Sequence, residues 1–586
     1  MNYNLSEETG QEQKKSTYAA LVGLISFMKG ERGNLILALV AILVNSTLSL
    51  AAPILVGHTI DKYIVSKQYH GVLVFSGILF SMFLVSLLTS YLQTKLMGGV
   101  GQRMLFSLRN TIFNKLQELP VAFFNQNKAG DLISRVNNDT DKLNQFFSQS
   151  LMQFVGSIFI MTGAGIFLLS INLPLGAAAL SPALFLWIFT RLISPWVKRK
   201  NAVSLRSVGN LSAEIQESLH NFKVIIAFNR RDYFRKKFDE ANRNNYSSAI
   251  GAGLANNIFM PIYGFSSNIG QMIVLAFGIY LIIAGQFSIG LLISFLAYVT
   301  HFYNPLRQLA ALWANFQVAM AGWDRISRIL SLQPDMETVD VQASGSSHAL
   351  LEFRNVHFSY PEGREVLHNI SFTLDRGKTY AFVGPTGGGK TTTAFLMARL
   401  YDPAKGTVFF CGKDIRSCQA QERAGKIGFI LQEPFLFSGT VRDNILYGNE
   451  EFLNFTNEQL VRVFVDSGLE GLLTRFDNGL ETQVIMGGDS ISLGQKQLIA
   501  FMRAVLRKPE LLILDEATAN IDTITEQLLE EILKKLPSST TLVVIAHRLN
   551  TIENADEIFF VNSGQVTRAG SLENAMHMLL HHKRDS

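Results

Sequence analysis

Cysteine and charge are both scarce in this chain of 586 residues. The two cysteines, Cys411 and Cys418, match no metal-ligand spacing, and we expect a reduced pair in the cytosol. Charged residues make up 17% of the chain, below the roughly 25% usual in soluble domains. Residues Met1–Lys15 are polar, so we expect no cleavable signal peptide. With a mean hydropathy of +0.20, this composition predicts a membrane part joined to a soluble part.

Four long stretches lack Asp, Glu, Lys and Arg altogether, and they account for the hydropathy. A membrane-spanning helix needs about 20 apolar residues, so the two shorter stretches fit one helix each and the two longer ones fit a hairpin each. The hairpins break at residues 172–174 and 285–288, where turn-forming residues occur. The stretches are Asn34–Val56, Gly71–Thr94, Leu143–Thr190 and Asn244–Leu306. They predict six spans, near residues 34–57, 72–94, 147–170, 174–194, 258–284 and 289–310.

The distribution of Lys and Arg predicts the orientation of these spans. Residues 95–146 and 195–255 are rich in Lys and Arg, whereas the opposite side carries only Lys62 and Lys67. By the positive-inside rule, both termini face the cytoplasm of a cell membrane, which we expect to be bacterial. This placement also favours a membrane over nucleic acid as the reason for the net charge of +5. Residues 18–28 are amphipathic and predict a helix along the membrane surface.

The two cytosolic segments have helical patterns that continue the flanking spans. Their turning points, 123–131 and 220–228, are candidate contacts with a soluble domain. Within the spans, acidic residues are missing and basic residues are few, with Arg191 in the fourth span. The spans therefore disfavour proton or sodium coupling through carboxylates, and they favour a small hydrophobic or amphipathic substrate.

After the last span the chain changes character. Residues 331–348 are polar and predict a linker between a transmembrane domain at 1–330 and a soluble domain at 349–586. Beyond the linker, short β-branched runs alternate with helical patterns, which is typical of an α/β fold.

The strongest local motif, GPTGGGKT at 384–391, matches the phosphate-binding pattern G-x-x-x-x-G-K-[ST]. It stands between a strand-like run and a helix-like run, as the pattern requires. Its glycines let backbone N–H groups face the phosphates of ATP. Lys390 is expected to reach the β- and γ-phosphates, and the Thr391 hydroxyl to bind Mg²⁺. The candidate contacts are Gly384, Pro385, Thr386, Gly387, Gly388, Gly389, Lys390, Thr391 and Thr392.

A second motif, LLILDE at 511–516, is an apolar strand that ends in two acids. Asp515 suits the Mg²⁺ shell, and Glu516 suits the base that orients the attacking water.

From these motifs onward the chain resembles the ATP-binding-cassette (ABC) family, whose remaining motifs occur here in the family's order. The resemblance implies that Tyr360 stacks on adenine, that Gln432 links the Mg²⁺ site to the membrane domain, and that His547 contacts the γ-phosphate. Residues 491–495, ISLGQ, stand where the family has its L-S-G-G-Q signature, so Ser492, Gly494 and Gln495 are implied contacts to nucleotide. Residues 519–522 correspond to a loop between the two ATP sites.

The resemblance covers nearly the whole chain and extends to its cytosolic loops. It implies a half-transporter of the exporter branch: an α-helical membrane domain of six transmembrane helices fused to an α/β P-loop ABC ATPase domain. Family members act as dimers in which the phosphate loop of one chain faces the signature of the other.

The signature departs from the family pattern in a way that predicts a heterodimer. Leu493 replaces the first glycine, and its side chain would crowd the γ-phosphate. Residues 484–488, VIMGG, also depart from the usual V-G-E-R-G. We therefore expect a second, different half-transporter with a consensus signature and without the equivalent of Glu516.

The expected function is ATP-driven export of multidrug type by alternating access. A lipid flippase, a peptide exporter and a homodimer are the alternatives. A channel-gating or regulatory subunit is a further class, which the intact Glu516 disfavours.

Overall fold

The structure is a computed structural model of the chain. It describes residues 3–5, 23–24, 27, 29–333, 336, 338–340, 345–346, 348–360, 363–485, 491–515, 523–545 and 554–581. The chain forms two compact units. The helical unit comprises residues 8–117 and 130–331, and the sheet unit comprises residues 1–7, 118–129 and 332–586. The predicted domain boundaries at residues 330 and 348 stay a prediction.

The helical unit confirms the six predicted spans. Among the described residues, six helical segments are long and apolar enough to cross a membrane. In chain order the helices up to residue 331, of which α3 belongs to the sheet unit, are α1 (Arg32–Thr59), α2 (Tyr69–Glu118), α3 (Val121–Gln126), α4 (Ala129–Ser134), α5 (Thr140–Gln145), α6 (Leu151–Ile171), α7 (Leu173–His220), α8 (Phe222–Ala227), α9 (Arg231–Asn257), α10 (Phe259–Ile283) and α11 (Ile289–Ser331). Helices α2, α7 and α11 continue well beyond the apolar spans.

Both hairpins break where the sequence predicts. Asn172 is extended (φ −150°), and its side-chain oxygen accepts a hydrogen bond from the backbone N–H of Leu175 at 3.0 Å, which caps α7. Pro174 lies in the first turn, where its missing N–H leaves no intrahelical bond unmade. In the second hairpin, Gly285 follows α10 with φ +73°, a conformation that favours glycine.

Tyrosine hydroxyls join the spans inside the helical unit. Tyr298 donates to the carbonyl of Leu50 at 2.5 Å, and Tyr303 donates to the carbonyl of Ala179 at 3.0 Å. Both tyrosines are buried in a cluster formed by α1, α6, α7, α10 and α11. Since lipid supplies no hydrophobic force between spans, such bonds and close packing hold them together.

Among the described residues, nothing buries the apolar stretch of α2. Its polar link to α1 runs through Asn45, whose amide accepts from Ser86 at 2.5 Å and donates to Ser90 at 3.3 Å.

An ion pair fixes the C-terminal part of α11. Arg325 of α11 donates two hydrogen bonds to Asp139, at 2.7 and 2.5 Å, and Lys142 donates a third at 3.2 Å. Asp139 ends a π-helical turn, Arg135–Asp139, between α4 and α5. Burial would raise the pKa of the Asp139 carboxyl, but the bonds from Arg325 and Lys142 outweigh it and hold that pKa below its usual range.

The sheet unit contains a four-stranded sheet of order β2-β1-β4-β5, a six-stranded sheet of order β12-β11-β3-β10-β9-β6, and a two-stranded pair, β7-β8. The strands are β1 (Ala349–Ser359), β2 (Glu365–Asp375), β3 (Thr379–Val383), β4 (Lys405–Phe410), β5 (Lys413–Asp414), β6 (Ile427–Ile430), β7 (Gly439–Thr440), β8 (Gln483–Val484), β9 (Leu511–Asp515), β10 (Thr541–Ile545), β11 (Glu557–Asn562) and β12 (Gln565–Arg568).

Helices cover the six-stranded sheet, whose strands β6, β9, β10, β3 and β11 run parallel. They are α12 (Lys390–Met397), α13 (Ala420–Lys426), α14 (Val441–Leu446), α15 (Asn457–Asp466), α16 (Glu470–Leu473), α17 (Leu493–Val505), α18 (Thr523–Lys534) and α19 (Leu572–His581). Strands β9 and β10 are buried throughout, as expected of parallel strands covered on both faces. Because parallel strands end at one edge, the loop after β3 and the acid at the end of β9 lie together there.

Candidate nucleotide site

The phosphate loop connects β3 to α12, as the sequence predicts. It lies against the backbone of β11, and this contact explains the glycines. A Cβ atom on Gly384 would come within 2.0 Å of the Val561 carbonyl oxygen, and one on Gly388 within 2.6 Å. Gly384 and Gly389 also have φ of +148° and +111°, in the region that favours glycine. The loop therefore keeps its backbone N–H groups uncovered by side chains at the start of α12, an arrangement suited to phosphate.

Lys390 begins α12 and folds back over the loop. Its Nζ donates to the carbonyls of Gly384 at 2.8 Å and Pro385 at 3.0 Å, and the residue is 6% exposed. These carbonyls hold the ammonium group over the loop, so that a phosphate bound there would meet a positive charge already in place.

Thr391 and Asp515 bring two oxygen donors together at the edge of the sheet. Asp515 ends β9 and is 2% exposed. The hydroxyl of Thr391, in the first turn of α12, donates to its carboxylate at 3.3 Å. This places the ends of the two motifs side by side, as expected for parallel strands.

Tyr360 lies beside the first helical turn rather than in open solvent. Its hydroxyl is 3.1 Å from that of Thr392, and its ring contacts Phe358 and Tyr401 edge to face, at 4.9 and 5.3 Å between centroids. Burial raises the pKa of the Tyr360 hydroxyl. The phenol is therefore neutral, and its ring is oriented by two neighbouring aromatic rings.

Tyr401 is a residue that sequence reasoning missed. It follows α12, is 8% exposed, and its hydroxyl accepts a hydrogen bond from Asn125 at 2.8 Å. Asn125 belongs to α3, in the first predicted turning point, 123–131, and this part of the chain lies in the sheet unit. The signal available in the sequence was the aromatic pair Phe123-Phe124 in the first predicted turning point, but this pair does not reveal that the segment contacts Tyr401.

The residues at 491–495 start a helix. Ser492 caps α17: its hydroxyl accepts from the backbone N–H of Gln495 at 3.1 Å, and the Gln495 side chain accepts from the Ser492 N–H at 2.9 Å. Leu493 is the first residue of the helix, and 44% of its surface is exposed. The N-terminus of α17 therefore presents an isobutyl group to solvent, with Gly494 directly after it.

Helix α17 also contacts the segment that contains Gln432. Arg503 donates to the carbonyl of Phe435 at 3.2 Å and to that of Asn444 at 2.8 Å. Gln432 itself follows β6 and is exposed. Helix α17 and the segment that follows Gln432 are thus in direct contact, whereas the phosphate loop lies against β11.

Several predicted residues lie outside the described part of the chain: Glu516, His547, residues 486–488 of the VIMGG run, and residues 519–522. Glu516 directly follows Asp515 at the end of β9.

Two family models match the chain. The ABC transporter transmembrane region matches residues 35–306, and the ABC transporter model matches residues 367–519, a range that includes the phosphate loop and Asp515. An uncharacterized ABC transporter ATP-binding protein of Bacillus subtilis is 33% identical over 568 residues, 95% of this chain and 92% of the relative. The chain belongs to the ABC transporter family.

Two further relatives of this ABC transporter have names that mention a substrate. A probable multidrug resistance ABC transporter ATP-binding/permease protein of Bacillus subtilis is 32% identical over 526 residues, covering 87% of this chain and 74% of the relative. A fatty acid ABC transporter ATP-binding/permease protein of Mycobacterium tuberculosis is 32% identical over 491 residues, covering 84% and 77%. The predicted ATP-binding exporter with six spans and an ATPase domain that drives transport is thereby confirmed.

Proposed function

We propose that this ABC transporter is the catalytically competent half of a heterodimeric exporter, with both termini in the cytoplasm. The observation that carries the proposal is Leu493 at the start of α17. In the family's dimer that helix N-terminus faces the partner's nucleotide, and backbone N–H groups at a helix start bind phosphate well only when nothing covers them. A half-exposed isobutyl group in this position weakens the site that this chain would close over its partner.

The phosphate loop of this chain, in contrast, supports a competent site for the nucleotide that the chain itself binds. The glycine cradle, the buried Lys390 and the adjacent Thr391 and Asp515 are all in place. A hydroxyl and a carboxylate side by side are the hard oxygen donors that Mg²⁺ prefers, so Thr391 and Asp515 would hold it, with Gln432 as a further donor. Bound Mg²⁺ would neutralise charge on the β- and γ-phosphates. In this proposal Tyr360 supports the adenine ring.

Glu516 is the proposed catalytic base. From the end of β9 its carboxylate would orient the attacking water, while His547 contacts the γ-phosphate. The Lys390 ammonium would balance the charge of the transferred phosphoryl group. Hydrolysis then resets a membrane domain that ATP binding has opened outward.

Exposed apolar side chains on the second cytosolic loop support a second half-transporter. In α8 and just after it, Phe222, Val224 and Phe228 are 53%, 55% and 73% exposed. On a cytosolic hairpin these apolar groups would otherwise contact water, which is unfavourable. They therefore favour a protein partner that covers them. The apolar stretch of α2 adds a second uncovered face, which lipid or the partner would cover.

ATP turnover by purified protein tests the heterodimer. We expect little activity from the chain alone and full activity when it is mixed with a half-transporter that has an intact signature. Glu516→Gln should lower that activity by about 10²–10⁴-fold, the usual contribution of a general base. The matched substitution Glu458→Gln, on an exposed face of α15, should leave it unchanged. Equal activity from the chain alone would refute the heterodimer.

A cavity in the helical unit supports a hydrophobic or amphipathic substrate. It has a volume of about 810 Å³ and lies between α6, α7, α10 and α11. No charged side chain is present among the described residues that line it: Met161, Ala177, Leu180, Ser181, Ala183, Leu184, Leu186, Trp187, Thr190, Tyr263, Phe302 and Leu306. Cavities of this size and apolarity suit drug-sized molecules, in keeping with the multidrug relative.

An anionic lipid-like substrate is the second candidate, because Arg191 follows the cavity residue Thr190 in α7. Arg191 is exposed and has no ion-pair partner among the residues that the structure describes. The fatty acid relative agrees with such a cargo. Transport of ethidium and of oleate into inside-out vesicles separates the two candidates. Ethidium uptake that survives Arg191→Ala supports the drug exporter, and oleate uptake that is lost in Arg191→Ala supports the second candidate.

A further inference from the structure

The first residues of the chain are anchored on the first cytosolic loop. Tyr3 is 1% exposed and Leu5 is 8% exposed, both within the sheet unit. The backbone N–H of Tyr3 donates to the side-chain oxygen of Gln126 at 2.6 Å. A terminal segment with fully buried side chains and paired backbone groups is a specific contact, since chain ends are ordinarily poorly ordered unless tied down.

Asn127 supplies most of this contact. Its side-chain oxygen accepts from the backbone N–H of Leu5 at 3.0 Å, and its amide donates to the carbonyls of Tyr3 at 2.9 Å and Phe123 at 2.8 Å. The residue is 9% exposed. One amide thus ties the N-terminal segment to the last turn of α3, and removing it would leave buried backbone groups unpaired, which is costly.

The Tyr3 side chain extends the contact to two further parts of the chain. Its ring meets that of Phe123 edge to face, with 6.3 Å between centroids, and its hydroxyl donates to the carbonyl of Gln333 at 3.2 Å. Phe123 is fully buried in α3, and Gln333 lies just after α11. The N-terminal segment therefore meets both chain segments that lead from the spans into the sheet unit.

Helix α3 in turn contacts the ATP site through Asn125 and Tyr401, and the Tyr401 ring orients Tyr360. We propose that Tyr3 and Asn127 are positioning residues. They hold α3 in place against Tyr401, so that the first cytosolic loop moves together with the ATP site. They touch neither nucleotide nor substrate. The inference requires only an ABC exporter that hydrolyses ATP, so it does not depend on a heterodimer or on a particular substrate.

Cross-linking tests the position of α3 directly. Asn125→Cys and Tyr401→Cys are combined in a chain in which Cys411 and Cys418 are replaced by Ala, and a short bismaleimide joins them. The measurements use full-length protein in the assembly that supports its ATP hydrolysis. We expect Tyr3→Ala to lower the cross-linking yield by roughly tenfold, equivalent to about 1.4 kcal/mol, and Tyr3→Phe, which retains the ring contact, to lower it less. Tyr233→Ala, which removes an exposed cytosolic tyrosine, is the matched control.

Two further readouts separate positioning from a general loss of folding. In the chain with native Asn125 and Tyr401, Tyr3→Ala should keep basal ATP hydrolysis within about threefold of the wild-type rate, a change of less than 1 kcal/mol. The amount of ethidium or oleate transported per ATP hydrolysed should fall. Asn127→Ala should match Tyr3→Ala, and the double variant should be no worse than either single one, because both residues belong to one network. An unchanged cross-linking yield, a parallel loss of ATP hydrolysis, or additive effects would each overturn the proposal.

Discussion

Single carbonyl oxygens decide where glycine is required in the phosphate loop. Val561 of β11 points its carbonyl at both Gly384 and Gly388, so that the loop can lie on the strand only without a Cβ atom. The motif is visible in the sequence. The contact with β11 is not visible there, because β11 lies far along the chain and the motif does not indicate which strand supports the loop.

Gly388→Ala should therefore weaken ATP binding. Its Cβ would meet two backbone oxygens, those of Val561 at 2.6 Å and Pro385 at 3.1 Å, which cannot swing aside as a side chain does. Overpacking of this kind typically costs about 1–3 kcal/mol, so we expect roughly tenfold weaker binding or more of a fluorescent ATP analogue.

The control is Gly425→Ala in α13, where no other group lies within 4 Å of the added Cβ. It should bind the analogue like the wild type, and its stability should change by no more than about 1 kcal/mol. Normal affinity in Gly388→Ala would contradict this account of the loop.

The two cysteines should react slowly in the folded protein. Cys411 is half-buried and Cys418 is buried, and both are free thiols. Burial raises the pKa of each thiol, and for Cys411 the neighbouring Glu510 raises it further. At pH 7 we expect maleimide to label neither thiol quickly, but to label both after denaturation. An added Glu458→Cys on exposed α15 provides the fast reference, and equal labelling of Cys411 would contradict the prediction.

At the scale of helices and strands, the breaks at Asn172 and Gly285 could be predicted because each depends on local chemistry. One side chain caps a helix there, and one glycine takes a left-handed conformation. The π-helical turns at Arg135–Asp139 and Phe146–Ser150 could not, since they depend on what α11 presents to that segment. The same limit applies to Tyr3 and to α3 at residues 121–126. The polar sequence around Tyr3 does not indicate that its side chain is buried. Both Tyr3 and α3 are positioned by contacts with residues that lie far away in the chain.

The ion pair between Asp139 and Arg325 should make this part of the helical unit sensitive to acid. Because the pKa of Asp139 is lowered on folding, its stabilising contribution is complete above the ordinary carboxyl pKa of about 4 and is lost as the pH falls below it. Asp139→Asn should lower the midpoint of thermal unfolding at pH 7 by about 2–5 °C. The difference from wild type should be constant between pH 7 and about 5 and should shrink only as the pH falls below about 4.

Asp141→Asn is the matched control, since Asp141 is 59% exposed and its bond to Arg109 lies at the surface. Surface pairs contribute about 0–1 kcal/mol, so the thermal midpoint of this variant should differ little from wild type at either pH. Equal shifts in the two variants would show that the burial of Asp139 does not strengthen its ion pair.

At the scale of the whole molecule, family membership can be predicted from motifs that occur in order in the sequence. The assembly with a second half-transporter is instead inferred from apolar surfaces that this chain leaves exposed. Three features stay wholly or partly exposed among the residues that the structure describes: the apolar stretch of α2, the side chains Phe222 and Val224 of α8, and Leu493 at the start of α17. The sequence alone predicted a different partner from Leu493, and the structure adds that this side chain stands at the N-terminus of a helix.

The most direct measurement is ATP turnover by the purified chain alone, with Leu493→Gly compared with wild type. If the signature of this chain is the deficient element, wild type alone should be nearly inactive. Leu493→Gly should raise its activity by at least about tenfold, corresponding to about 1.4 kcal/mol of the barrier. Leu453→Gly, which alters an exposed leucine elsewhere in the sheet unit, should have no such effect. Full activity of the unmodified chain, unchanged by Leu493→Gly, would contradict the heterodimer and restore a symmetric pair of identical halves.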